Sequence, residues 1–535
     1  MSSPHLGSTY RLQLQGLGFE GARSLVGYLS DLGIETLYVS PILAAAPGST
    51  HGYDVIDPTR LDPALGTSRQ FEKLLKELDA HGMRLLIDIV PNHMACQRSN
   101  TWWWDVLRLG QTSKFASTFD IDWSRHVGRV LVPTLPEPLE GLLDSIHYVG
   151  EGAERVMEIG DQDFPLAPGT RTGSDLGAVL ARQHYQPAYW RLSNHEGNYR
   201  RFFDIDGLIG VRVEDDEVFQ RTHSCITSLA RDHRIAGWRV DHIDGLSDPA
   251  TYLTRLVGAT TIDRATAPVV LVEKILGVNE QLPDSWSSDG TTGYEFANVV
   301  GGLFVAEDGA RRLATTGERM TGNHASFGEL GIEAKREVIA RLFDAGLERL
   351  ARLAMNALND IRPGHDLSWF DVRRALAELT VRLDVYRTYF SPNAAATSDR
   401  ERLASARDAA SEFLEGEAQR AVLLVADVMA APGAGLDLTQ RWQQLSGAVM
   451  AKGVEDTATY RYSGLLSHAE VGCDPDHASA QPEKFHELSR HHQRLPSSLN
   501  ATSTHDSKRS EDARSRLFVL SELPDEWSSL VARWH

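Results

Sequence analysis

Apolar, β-branched runs alternate with stretches of helical period through the first hundred residues, and that alternation restricts the chain to a parallel β/α architecture. Residues 8–14 read as a strand, 22–32 as a helix, Glu35 to Pro41 as a strand, 68–81 as a helix and Met83 to Asp88 as a strand. Parallel neighbours need a long crossover, and a helix supplies it. Thr67 and Gln70 have the spacing of a capping box, which predicts where the second helix starts. The alternation resumes later: 218–231 reads as a helix, Ala236 to Asp241 as a fourth strand and Ala267 to Glu273 as a fifth. Asp248-Pro249 supplies an N-cap acid and a first-turn proline for the helix between those two strands.

Two interruptions separate these units. Between Met94 and Val213 the periodicity breaks up among Trp, Gly and Pro, which predicts an inserted domain; Trp102, Trp103 and Trp104 belong to its core on this reading. From about Ala306 to Ala448, Ala, Leu, Arg and Glu recur at helical spacing, as in Ala334–Leu342 and Phe370–Leu376, which predicts a helical subdomain. A chain of 535 residues exceeds one ordinary core, so a large barrel with inserted parts is expected.

Four polar segments are each read as the end of an apolar, β-branched strand: Asp88 to His93, Gly237 to Asp241, Leu271 to Glu273 and Ser503 to Asp506. In a barrel of parallel strands such ends empty into one shared site, so Asp241, Glu273 and Asp506 are expected to converge. Paired carboxylates of this kind suit glycosidic bond cleavage with retention, which takes one carboxylate as nucleophile and one carboxylic acid as proton donor. Arg239 lies two residues before Asp241 on the same strand face, where it is expected to keep that carboxylate ionised. Glu273 follows four apolar residues, and an apolar setting is expected to favour its protonated form. Taken singly, Arg-x-Asp is more often a structural ion pair, Glu273-Lys274 reads equally well as a salt bridge, and His505-Asp506 as a polar loop.

Charge and cysteine content narrow the function classes. Lys and Arg total 54 against 73 for Asp and Glu, a net charge of −19. That balance repels polyphosphate and excludes nucleic acid as the natural partner, whereas a neutral sugar is unaffected. Only Cys96, Cys225 and Cys473 occur, widely spaced, so neither a disulfide framework nor a cysteine zinc site is expected. The first ten residues lack a basic stretch followed by an apolar one, and no run is long enough to span a bilayer; a cytoplasmic protein is expected.

Taken together and in order, the four segments resemble those of the α-amylase superfamily of retaining glycoside hydrolases and transferases. The resemblance implies an interrupted (β/α)8 TIM barrel, with Asp241 as nucleophile, Glu273 as general acid/base and Asp506 as the third acid that holds sugar hydroxyls. It places Asn92, His93, Arg239 and His505 around the cleaved sugar, and His51 and Tyr53 at the stacking position. Longer phrases, among them Met450 to Asp456 and Thr504 to Asp512, are similar to the maltooligosyltrehalose synthase family within that superfamily. That likeness implies an intramolecular transglycosylation, in which the reducing-end α-1,4 bond of a maltodextrin becomes α,α-1,1. It also implies a closed acceptor pocket, for which Lys452, Glu455, Lys508, Arg509, His242 and Tyr294 are the candidates, no organic cofactor, and a trehalose-releasing hydrolase acting on the product. No acidic cluster stands at metal-ligand spacing, so no metal is assigned.

The expected organisation is barrel over 1–93, inserted domain over 94–215, barrel over 216–305, helical subdomain over 306–448 and barrel over 449–535. With 29 residues after Asp506, the barrel is expected to end short of its eighth strand and without a C-terminal β-domain. A retaining α-glucan hydrolase or glucanotransferase would use the same three acids, and a glucan-binding remnant would keep them without turnover.

Overall fold

The computed structural model describes residues 6–152, 155–173, 175–262, 267–277, 280–391, 396–431, 433 and 435–534. Of the ten N-terminal residues searched for a leader pattern, 1–5 lie outside the described residues.

Six parallel strands curl into half of a barrel: β1 (Thr9–Leu12), β2 (Thr36–Val39), β3 (Arg84–Ile89), β4 (Ile235–Val240), β5 (Val269–Val272) and β6 (Gly290–Thr291), adjacent in that order. Period-two alternation divides each strand between two cores. Leu37, Val39, Leu85, Ile87, Trp238, Val240, Val270 and Val272 face outward into one large apolar cluster. There they meet α1 (Gly18–Asp31) through Phe19, Val26 and Leu29, α2 (Ser68–Ala80) through Phe71, Leu74 and Leu78, and α3 (Pro249–Thr260) through Tyr252, Leu253 and Leu256. Tyr38, Leu86, Ala236, Val269 and Leu271 face inward and form a second cluster. Asp88 and Glu273 continue the inward positions of β3 and β5, and a register shift between Ile235 and Gly237 turns Arg239 and Asp241 to the same concave side.

The expected helix starts hold. Thr67 and Gln70 make both bonds of the capping box, and Asp248 accepts from the Thr251 N–H with Pro249 in the first turn. Gly237 permits the close approach of β4 to β5, because a Cβ there would lie 2.1 Å from the Val269 carbonyl oxygen.

Between β3 and β4 the chain forms the helix Thr101–Leu109 and several small sheets. Trp102 and Trp103 are buried in the apolar cluster of that region. Ile205–Gly210 pairs antiparallel with His93–Ala95, which returns Phe202 and Phe203 to the C-terminal end of β3. Between Glu307 and Met450 the described residues are mostly helical and enclose their own apolar cluster, centred on Leu350, Leu376, Val425 and Trp442. The last of these helices, Leu436–Met450, continues into a π-helical stretch, Ala451–Ala458.

Two expectations are corrected. The single helix over 218–231 is two, Asp216–Thr222 and Ser224–Leu229, parted where His223 leaves helical geometry and its Nε2 reaches the Tyr252 hydroxyl at 2.9 Å. No strand leads into Asp506: Leu499 N–H donates to the Thr291 carbonyl at 3.0 Å, after which the chain turns irregularly to Ser510. Pro496 and the run Ser497-Ser-Leu-Asn-Ala-Thr-Ser-Thr504 offer no apolar alternation to hold a strand. Glu511–Phe518 and Pro524–Trp534 are helices. Among the described residues, no helix is long and apolar enough to cross a membrane.

Candidate active site

Arg239 organises the concave end of the sheet. Its register neighbours are Asp88 on β3 and Leu271 on β5, so its guanidinium lies level with the strand ends on both sides. Nη1 is 2.7 Å from Asp88 Oδ1 and 2.7 Å from Asp241 Oδ1, and Nη2 is 2.9 Å from Glu273 Oε1. The backbones of both acids are fixed by the sheet: Asp241 N–H donates to Ile89 O at 2.9 Å and Glu273 N–H to Val240 O at 3.0 Å. Asp241, Glu273 and Asp506 line one cavity of about 730 Å³. The expected convergence is therefore present, with Asp506 delivered by a loop.

Asp88, a fourth carboxylate, is wholly enclosed. Its Oδ2 accepts from the Tyr53 hydroxyl at 2.5 Å and lies 3.8 Å from Arg11 Nη2. Since the Tyr53 proton goes to Asp88, the 2.7 Å contact between Tyr53 Oη and His505 Nε2 requires His505 to donate. The two rings stack at 5.8 Å and 5°, and His51 stacks against Tyr53 at 5.9 Å. Burial, and then Arg11 and Arg239, hold His505 neutral, down to about 2. His93, down to about 3 through burial, packs against Phe202 at 4.3 Å, and its buried Nε2 has no hydrogen-bond partner among the described residues. An unpartnered ring nitrogen on a cavity wall suits a sugar hydroxyl.

Asp88, Asp241 and Asp506 crowd around two arginines in a buried setting, and all three are shifted toward their protonated forms. Burial pushes Asp88 up, against Arg239. Burial and then the Glu273 charge push Asp241 well above the carboxylate range, which reverses the expectation that Arg239 alone would keep it ionised. One guanidinium shared three ways cannot offset both the burial and the like charges. Asp506 leaves 51% of its side chain open, toward the cavity, and is still pushed up to about 6 by desolvation and by Glu273. The wholly apolar setting expected for Glu273 is also corrected. The residue lies beyond the end of β5, where Arg239 reaches Oε1 and the His242 N–H donates to Oε2 at 2.7 Å.

The acceptor-side candidates divide. Lys452 and Glu455, on the π-helical stretch, line the cavity with Tyr294, His242 and Lys508. Lys452 Nζ pairs with Asp204 at 3.0 Å and Asp456 at 3.1 Å, not with Glu455. Burial pushes Glu455 up to about 7, and its Oε1 accepts the Gly472 N–H at 3.2 Å. Tyr294 Oη accepts from Thr504 Oγ1 at 3.1 Å, and Lys508 Nζ reaches Asp456 at 3.3 Å. His242 rests edge-on against Phe202 and Phe203. Two assignments are corrected. Arg509 turns away, with its N–H on Glu470 at 3.0 Å and Nη1 on Ala469 O at 2.8 Å. Asn92 accepts from Arg200 Nη1 at 2.6 Å and lines a separate cavity of about 110 Å³ behind His242 and Phe203. The Arg200 guanidinium claims the Asn92 side chain, and a backbone carbonyl claims that of Arg509.

Sequence reasoning missed Asp88, Arg11, Phe202, Phe203, Asp204, Asp456 and Tyr386 as parts of this site. Asp88 lies at the C-terminal end of β3 much as Asp241 directly follows β4, and that signal was present. Phe202 and Phe203 are brought in by the return strand, which no local pattern announces. Among the described residues, no group of three or more His, Cys, Asp or Glu is arranged to hold a metal ion.

Residues 16–258 match the model of the α-amylase catalytic domain. A Mycobacterium tuberculosis (strain H37Rv) protein described as a maltooligosyl trehalose synthase is 36% identical over 98% of this chain and 66% of its own length. The structure of maltooligosyltrehalose synthase from Arthrobacter ramosus superposes with a TM-score of 0.89 at 36% identity, covering 98% of this chain and 66% of that one. The DSM5389 glycosyltrehalose synthase gives a TM-score of 0.81 at 34% identity, covering 99% of this chain and 67% of that one. The present chain thus spans about two thirds of the length of these relatives.

Proposed function

The chain belongs to the maltooligosyltrehalose synthase family of the α-amylase superfamily, and on that premise we propose that it isomerises the reducing end of maltodextrins to a terminal α,α-1,1-linked trehalose unit. The observation that carries the reading is the joint hold of Arg239 on Asp88, Asp241 and Glu273 at 2.7–2.9 Å, in the cavity that Asp506 completes. Glu273 protonates the glycosidic oxygen, that C1–O bond breaks, and Asp241 closes on C1 as the covalent nucleophile. In the reacting complex Glu273 carries the proton and Asp241 is ionised. Asp506, His93 and His505 hold hydroxyls of the sugar at the reacting carbon, and Tyr53 offers an aromatic face.

The released glucose then turns within the cavity and attacks C1 through its anomeric hydroxyl, whose proton passes to Glu273 as the Asp241 ester breaks. Retention of that glucose raises its effective concentration far above that of a free solute. Lys452, Glu455, Lys508, Tyr294 and His242 supply polar and aromatic groups on the acceptor side. For the fold, we read a (β/α)8 barrel of the α-amylase type, interrupted by 94–215 and by 306–448. A cytoplasmic setting fits three cysteines that are all unpaired, and a trehalose-releasing hydrolase is the natural consumer of the product.

Product analysis on maltopentaose tests the reading. A non-reducing product of unchanged mass supports it; free glucose with shorter dextrins marks a hydrolase or glucanotransferase, and no turnover with retained binding marks a glucan-binding remnant.

A further inference from the structure

Lys274, immediately after Glu273, is fully enclosed and does not line the cavity. Its Nζ is 3.1 Å from Asp244 Oδ2, 3.1 Å from Glu280 Oε1 and 2.8 Å from Ile275 O. The rings of Tyr386 and Tyr389 flank it at 5.3 and 5.8 Å. A buried ammonium persists only with such matched partners, and removing one partner is strongly destabilising.

Asp244 belongs to the turn that follows Asp241. That turn begins at His242, a non-glycine residue at φ +45°. Such a conformation is strained and lasts only where its surroundings enforce it. The enforcement is visible: Asp244 Oδ2 is held by Lys274, Oδ1 accepts the Tyr389 hydroxyl at 2.6 Å, and the Asp244 carbonyl accepts from Arg387 at 2.8 Å. In this conformation the His242 N–H donates to Glu273 Oε2 at 2.7 Å.

We propose that Lys274, through Asp244, is a positioning residue for Glu273: the pair locks the turn whose His242 N–H fixes the carboxyl of the proton donor. The inference rests on the acid role given to Glu273 above. It separates that role from mere stability, because a misplaced acid slows only cleavage that needs a proton on the leaving group.

Single-turnover cleavage of maltopentaose and single-turnover fluoride release from α-maltosyl fluoride test it. Fluoride departs as the anion, so its release needs Asp241 but no proton. Lys274→Met is expected to slow maltopentaose cleavage at least tenfold while fluoride release stays within about twofold. Because that variant leaves two buried carboxylates facing no cation, Lys274→Met combined with Glu280→Gln is measured beside it and is expected to show the same selectivity. Equal losses on both substrates, or no loss on maltopentaose, overturn the proposal. Glu273→Gln is the reference: if it shows the selectivity and the Lys274 variants do not, only the positioning role falls; if it shows none, the acid role of Glu273 falls as well.

Discussion

At the scale of single residues, the account turns on how few cations serve the buried acids. Arg239 is 1% exposed and touches three carboxylates, so Arg239→Met leaves them without their main counter-charge. Breaking a buried ion pair from one side costs about 3–5 kcal/mol. Urea unfolding at neutral pH is expected to show a loss of that size, and a loss under 1 kcal/mol would remove Arg239 from its central place. Glu455 carries a pH dependence of its own. Its folded value of about 7 exceeds its ordinary 4.5, so the folded state binds the extra proton. The stability this contributes is fully present below about 4.5 and is lost as pH rises through about 7. Glu455→Gln is expected to flatten that decline, gaining of order 1–3 kcal/mol relative to the parent between pH 5 and pH 8, with solvent in the cavity keeping it toward the low end. Parallel stability–pH curves for parent and variant would contradict the assignment.

At the scale of elements, β4 and the π-helical stretch matter most. Gly237→Ala forces a Cβ against the Val269 carbonyl at 2.1 Å, and overpacking of this kind costs about 1–3 kcal/mol. Because β4 carries Arg239 and Asp241, turnover is expected to fall more than tenfold while the fold survives. An active, equally stable variant would mean that the close strand approach is not needed. Lys452→Ala removes the bridge from the π-helical stretch to Asp204 and is expected to raise the share of hydrolysis over rearrangement, read as free glucose per trehalose unit formed. An unchanged ratio would take Lys452 out of the acceptor wall. The strands and caps that build this end were legible because period-two alternation, Thr67 with Gln70, and Asp248 with Pro249 are local signals with local causes. The break at His223 was not, because it is set by Tyr252 on another helix.

At the scale of the whole molecule, the half-barrel gathers acids from the ends of β4 and β5 and from a loop more than two hundred residues later into one cavity, with Asp88 of β3 enclosed behind them. Asp241, Glu273 and Asp506 were legible as candidates because each ends a recognisable phrase. Their electrostatics were not legible: the protonation tendency of Asp241 depends on its burial and then on Glu273 and Asp88 arriving beside it, which only the assembled sheet supplies. Asn92 and Arg509 were misplaced for the same reason, since Arg200 and Glu470 approach them from distant segments. The central claim is that Asp241 attacks the anomeric carbon while Glu273 and Asp506 attend the same sugar. Trapping with 5-fluoro-α-maltosyl fluoride, followed by peptide mass spectrometry, tests it most directly. A single glycosyl adduct on Asp241, absent in Asp241→Asn, is the predicted result; an adduct on another residue, or cleavage of maltopentaose by Asp241→Asn at the parent's rate, would contradict it.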